Sequence, residues 1–443
     1  MFPKSCIYDL NLKNIIPCPS LNSTMLTENQ ALHRKIDAPT IWNMVAATAI
    51  LFLFVGFLFN RVVCNLGFIL AGIYAVAKIK NIAWLFRDRW MTTFMAMSIL
   101  VVLSDLYYEG IYFFNERGVM KLVLILFPSF IFALSPREKA ISYIHRLVIC
   151  CMAFSTLYSL SYYFNNSSDI IDSYKYSKVM PVLSYGDHIR ISWVTVISMV
   201  LAVYEFQTNK NKYYRFALIF YIIFQGIFLH YLGSKTGLIT LYLSAILVSN
   251  YLIPKGKKWY FAVIAIFLGV SLYLAATNIH SLKERVNFMR YDFEHYSKGK
   301  YREGLSDAIR YYSLLAGKDI IKANPNTGVG FSRLDTHMAV WYETKMPQIE
   351  KKNYFLPSSQ FVIYWASGGI IGLIVVLLHL FYPLFVSYLR ENIWFIGIFI
   401  PAAFSFAYET HLEGQLPIFI YAFFVSWAWY LAYTKADQET LSK

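Results

Sequence analysis

Three cationic side chains, Arg190, Lys235 and Arg310, sit in this sequence where a charge is costly unless an anion answers it. Arg190 lies in SYGDHIRIS, Ser184 to Ser192, at the entry to an apolar stretch. Lys235 lies in LGSKTG, Leu232 to Gly237, a connection too short to carry it away from the two apolar stretches it joins. Two readings fit each of them: a cation facing an anionic partner, or a boundary residue, namely a snorkelling arginine at 190 and a turn lysine at 235. Arg310 gives a sharper pattern. Ser306 or Asp307 can cap a helix that ends before Pro325. At 3.6 residues per turn Asp307, Lys318 and Lys322 share a polar face, whereas Arg310 falls in a row with Leu314, Gly317 and Ile321. A guanidinium displaced from the solvated stripe suits an anionic ligand, and equally a lipid phosphate or a carboxylate of the chain itself. Two glycine-bearing runs follow. NPNTGVG, Asn324 to Gly330, reads as a tight turn, and SGGIIG, Ser367 to Gly372, spaces Gly368 and Gly372 for close helix packing. There is no metal-ligand spacing, P-loop or dinucleotide turn, so neither a metal nor any other cofactor is expected.

The elements that must position these residues are apolar. Hydrophobic residues make up 57% of the chain and charged residues 15%, with a mean hydropathy of +0.46, whereas a soluble domain carries about 25% charged residues. Twelve stretches approach the ~20 residues that cross a bilayer. They cover residues 41–59, 62–77, 90–107, 119–134, 147–164, 189–206, 216–231, 237–253, 259–277, 361–389, 394–408 and 416–433. The expected fold is therefore an all-α polytopic membrane helix bundle of about twelve transmembrane helices. A hydrophilic insert, residues 278–358, separates helices 1–9 (41–277) from helices 10–12 (359–434), and tails cover 1–40 and 435–443. Lys and Arg recur in alternate short loops, with Lys78, Lys80, Arg87 and Arg89, then Arg137, Lys139 and Arg146, then Lys210, Lys212 and Arg215, then Lys255, Lys257 and Lys258, and then Arg390. Cationic loops are retained in the cytoplasm, so both termini are expected inside and the insert outside. The net charge of +14 is then a topology signal and an attraction to anionic lipid, with no nucleic acid implied. The five cysteines, at 6, 18, 64, 150 and 151, all lie outside the insert, which must be held by packing on the membrane helices rather than by disulfides.

The segments PVLSYGDHIRIS, LGSKTG, SDAIRYYSLLAGKDIIKANPNTGVGF and LPSSQFVIYWASGGIIGL, in this order and with this layout, resemble the O-antigen ligase superfamily. Its members are polytopic inner-membrane glycosyltransferases that include ligases and O-antigen polymerases. The resemblance implies transfer of a glycan from an undecaprenyl pyrophosphate-linked donor to an acceptor hydroxyl at the periplasmic face. The acceptor would be lipid A-core, or a growing glycan in a polymerase. Arg190 and Arg310 match family arginines that engage the donor pyrophosphate, and Lys235 stands where the family has a third arginine. Where the family has histidine, before GGIIG, this chain has Ser358. Three accounts remain open: another histidine substitutes, electrostatics suffice, or the subgroup has another acceptor or no catalysis. His188 beside Arg190 and His337 in the insert are the candidate bases, each equally readable as a solvated loop histidine. His379 lies too deep in its span to reach the outer face. A polysaccharide transporter would instead show repeat-related halves and charges spread through the spans.

Overall fold

The computed structural model describes residues 38–79, 88–110, 116–136, 138–175, 179–253, 257, 259–298, 301 and 304–441. Among them every regular element is helical. The expected N-terminal tail to residue 37, Cys6, Cys18 and the loop cations Lys80, Arg87, Arg137, Lys255 and Lys258 lie outside the described residues. The chain divides into two compact units, 1–44 and 45–443, and of the first only the opening residues of one helix are described.

Eighteen α-helices are described: α1 Ala38–Phe59, α2 Arg61–Ala77, α3 Arg89–Glu109, α4 Glu116–Lys121, α5 Val123–Leu134, α6 Glu138–Asn165, α7 Ser167–Tyr174, α8 His188–Thr208 and α9 Lys212–Leu232. They continue as α10 Lys235–Leu252, α11 Trp259–Asn278, α12 His280–Ser297, α13 Ser306–Ala323, α14 Leu334–Lys345, α15 Gln360–Phe381, α16 Ser387–Arg390, α17 Ile393–Ser405 and α18 Gln415–Leu441. Eight helical stretches are long and apolar enough to cross a bilayer: Ile41–Phe59, α3, α6, α8, α9, α11, Gln360–Phe385 and Gln415–Ala436. α2, α17 and the stretch Gly118–Leu134 are apolar but shorter, and α10 is a helix of 18 residues outside both groups. The protein is thus a polytopic helical membrane protein with eight candidate spans among its described residues.

Two helices depart from simple spans for reasons visible in their backbone. The fourth apolar stretch passes through a tighter turn at Leu122, whose N donates to Val119 O at 3.1 Å, between α4 and α5. The tenth is kinked: Gly369, at φ +61°, interrupts α15. The kink exposes carbonyls that the NPNTGVG turn answers, with Val329 N donating to Ala366 O at 2.9 Å and Gly330 N to Ser367 O at 2.9 Å. A Cβ on Gly369 would lie 2.0 Å from Asn326 O, and one on Gly328 2.3 Å from Ser367 O. The SGGIIG run therefore seats a loop against a broken helix, where its spacing alone suggests a helix-packing face. The same loop is tied to α3. Tyr108 OH donates to Gly328 O (3.1 Å), Ser332 N to buried Asp105 (2.9 Å), and Arg333 pairs with Glu109 (2.7 Å).

At the centre of the 45–443 unit is α18, with 94% of its apolar window buried. It packs on α5, α17 and α8. Phe54, Phe127, Phe419 and Phe423 interlock there, with ring centroids 5.3 Å apart for Phe54 and Phe423 and 5.3 Å for Phe127 and Phe419. Such ring pairs add directional packing where lipid removes any hydrophobic drive between helices.

Candidate functional site

A cavity of about 730 Å³ opens where the N-terminus of α8, the first turns of α13, the segment before α15 and the α17–α18 connection meet. That volume lies in the range of ligand pockets. Arg190, Arg310 and Ser358 all line it, together with Glu409 and Glu413.

Each cation is placed by local chemistry. Asp187 caps α8 by accepting from Arg190 N at 3.1 Å, which fixes Arg190 in the first turn, and its guanidinium donates to Thr410 O at 2.9 Å. Only 8% of Arg190 is exposed. α13 starts differently from the sequence expectation. Neither Ser306 nor Asp307 caps it; the carboxylate of Asp292, on α12, accepts from the amides of Asp307 (2.7 Å) and Ala308 (3.2 Å). Two orphan amides of a helix start are equally well served by an acid from a neighbouring helix, a partner that local sequence spacing cannot reveal. Burial pushes the Asp292 carboxyl above its ordinary value, and these two amides oppose the shift. This cap sets the first turn of α13, from which Arg310 reaches the cavity.

Glu409 is the residue that the two arginines share. Its Oε1 accepts from Arg310 Nη1 at 2.7 Å and from Thr236 Oγ1 at 2.9 Å, and its Oε2 lies 3.9 Å from Arg190 Nη1. The carboxylate is 4% exposed. Lys235 turns elsewhere. Its ammonium pairs with Asp307, one helical turn before Arg310, and it is not among the residues that line the cavity. α10 comes close enough for Thr236 to reach Glu409 because Gly237 packs on α8, where a Cβ would meet Ser192 Cβ at 2.4 Å.

The second acid, Glu413, is locked. It pairs with Lys121 at 2.7 Å and accepts from Gln360 Nε2 at 2.9 Å, with the lysine and glutamate side chains 1% and 5% exposed. Removing one partner of such a buried pair typically costs about 3–5 kcal/mol.

Ser358 sits close to Arg310. Ser313 Oγ donates to Arg310 O (2.7 Å), so in its 3.1 Å contact with Ser358 Oγ the donor is Ser358. Neither candidate histidine is among the residues that line the cavity. His188, the half-buried first residue of α8, is within the electrostatic reach of Arg310 and Glu409 but does not line the cavity. His337 is exposed on α14. His379 is a satisfied core residue, bound to Thr93 Oγ1 (2.8 Å) and Tyr421 OH (2.7 Å).

Sequence reasoning passed over Glu409, Glu413, Lys121 and Arg285. Arg285, on α12, is 7% exposed, and its field reaches Lys235, Arg310 and His188. One signal was present for the acids: the connection YETHLEGQ, Tyr408 to Gln415, carries two glutamates four apart between apolar stretches.

Residues 217–377 match a family model described as O-antigen ligase. The matched stretch holds Lys235, Arg285, Arg310, His337 and Ser358, while Arg190 and Glu409 fall outside it. No curated protein matches the chain.

Proposed function

We propose, from the match of residues 217–377 to the O-antigen ligase family, that this chain is a ligase-like membrane glycosyltransferase of the O-antigen ligase and polymerase superfamily. Its donor is a glycan linked to undecaprenyl pyrophosphate, its acceptor a hydroxyl of lipid A-core, and its working face the periplasmic side of the inner membrane. Members of the superfamily are glycosyltransferase-like enzymes, and the eight candidate spans suit a lipid-linked substrate.

The observation that carries the reading is the pairing of Arg190 and Arg310 on one cavity wall. Planar guanidiniums suit a diphosphate, whose negative charge grows as the bond to the sugar breaks. In the transfer step the acceptor oxygen forms a bond to the anomeric carbon. The bond from that carbon to the pyrophosphate oxygen breaks with its electron pair, and the acceptor proton leaves to a base. Arg190 and Arg310 stabilise the departing anion, while Lys235 and Asp307 brace the start of α13.

Deletion of the gene followed by electrophoresis of the lipopolysaccharide tests the reading. Loss of polymer from lipid A-core, with the polymeric lipid-linked donor retained, is the expected result. A single repeat left on the core would mark a polymerase, and an unchanged profile would remove this acceptor.

A further inference from the structure

The two arginines that suit a pyrophosphate already hold an anion of the chain's own. Glu409 lies between them, 2.7 Å from one and 3.9 Å from the other, in a connection unrelated to the helices that carry them. Around it stand Asp187 and His188 behind Arg190, Arg310 from α13, and Tyr408 and Glu413 from its own connection. Lys235 is neutralised by Asp307, and Glu413 by Lys121. Glu409 is thus the carboxylate that both arginines face over the cavity, with Asp187 a second, more exposed acid 3.8 Å from Arg190. A lipid-linked pyrophosphate diester carries two negative charges and would compete with Glu409 for Arg190 and Arg310.

Resting on the transferase reading, we propose that Glu409 is the resting counter-anion of Arg190 and Arg310, that donor pyrophosphate displaces it, and that the freed carboxylate is the base for the acceptor hydroxyl. The chemistry balances. The acceptor O–H proton passes to a Glu409 oxygen as the acceptor oxygen bonds to the anomeric carbon, and the pyrophosphate departs with the electron pair of the broken bond. Solvent then takes the proton and the carboxylate returns to the arginines as the lipid pyrophosphate leaves.

Glu409 fits this role better than the candidate histidines, Ser358 or Glu413. Neither His188 nor His337 lines the cavity, and Ser358 directs its proton at Ser313. Glu413 lines it, but its partners are a buried lysine and a glutamine that no substrate phosphate would take away. Glu409 alone among these is held by the groups the donor itself needs. While the donor is absent the carboxylate stays occupied, so no base is exposed to water or to an acceptor without a glycan to transfer.

The test uses the full chain in lipid nanodiscs, with undecaprenyl pyrophosphate as the binding probe, together with complementation of the deletion strain. Glu409→Gln keeps the shape but removes the competing charge and the proton acceptor. It should bind the probe about tenfold more tightly than the wild type while lowering glycan transfer by about 10²-fold or more. Glu409→Asp should restore measurable transfer. Retained probe binding shows that the glutamine variant is folded, and Arg310→Ala, which should lose the probe, shows that binding reports on this cavity. Weaker probe binding by Glu409→Gln would mean that Glu409 organises the arginines rather than competing for them, and wild-type transfer by that variant would mean it is no base. Either overturns the proposal and leaves the transferase reading standing. A wild-type chain that binds no undecaprenyl pyrophosphate, in a host whose glycans survive the deletion, overturns the transferase reading and this proposal with it.

Discussion

Arg310 touches the cavity with a side chain that is more than a third exposed, yet it makes a 2.7 Å hydrogen bond to a carboxylate that is almost fully buried. Replacing it with alanine leaves Glu409 with Thr236 and a longer contact to Arg190, and in the proposed reaction would leave the departing pyrophosphate with one arginine instead of two. Arg310→Ala should therefore lower transfer by about 10²–10³-fold, the usual loss for one donor of an anion-stabilising site. Complementation scored by the glycan profile measures it, and wild-type polymer in that variant would remove Arg310 from the site. Ser358→Ala should behave in the opposite way. Its hydroxyl already donates to Ser313 and has no base beside it, so transfer should stay within about threefold of wild type. A larger loss in a variant that folds normally would give Ser358 a chemical role. The cations were legible because charge at the edge of an apolar run is conspicuous. Glu409 was not, because its partners lie 99, 173 and 219 residues away and only helix packing selects it from other loop acids.

Among the elements, α15 shows how a backbone feature sets the distance between site groups. The segment that carries Ser358 leads into α15, and nine residues into that helix Gly369 breaks it and receives the NPNTGVG turn that ends α13. The two ends of the arrangement, Arg310 at the start of α13 and Ser358 before α15, are thereby held in one frame. Gly369→Ala asks an L residue to adopt φ +61°, ψ −155° and drives a methyl to 2.0 Å from Asn326 O. Roughly 3 kcal/mol or more of destabilisation is expected from the backbone conformation and the clash together. Thermal unfolding of the detergent-solubilised chain measures it, and an unchanged melting temperature would deny the kink a structural role. Sequence reading found the helix, the turn and the glycines but not the break at Gly369. Periodicity reports which face of a helix is apolar, and it is silent on where a helix is interrupted to receive a loop.

At the scale of the whole molecule, the retention of cationic loops in the cytoplasm predicts the insert on one side of the membrane and the α8–α9 connection on the other. With the native cysteines replaced, a cysteine at Lys298 should react with an impermeant reagent added from outside, and one at Lys210 should not. The reverse pattern would invert the topology and detach the cavity from a periplasmic acceptor. Hydropathy made the helical class and the membrane setting legible. The span count was less so, because the apolar stretches at α2, Gly118–Leu134 and α17 are shorter than the ~20 residues that usually cross a bilayer. The burial of α18 bears on how such a chain is made. Ribosomes add about 5–20 residues per second, so α5 leaves the tunnel roughly 15–60 s before the helix against which it packs. During that interval the surfaces destined for α18 lack the partner they fit. Assembly of the centre therefore waits for a late step in synthesis, and a ribosome that stalls before Gln415 releases a bundle without its axis.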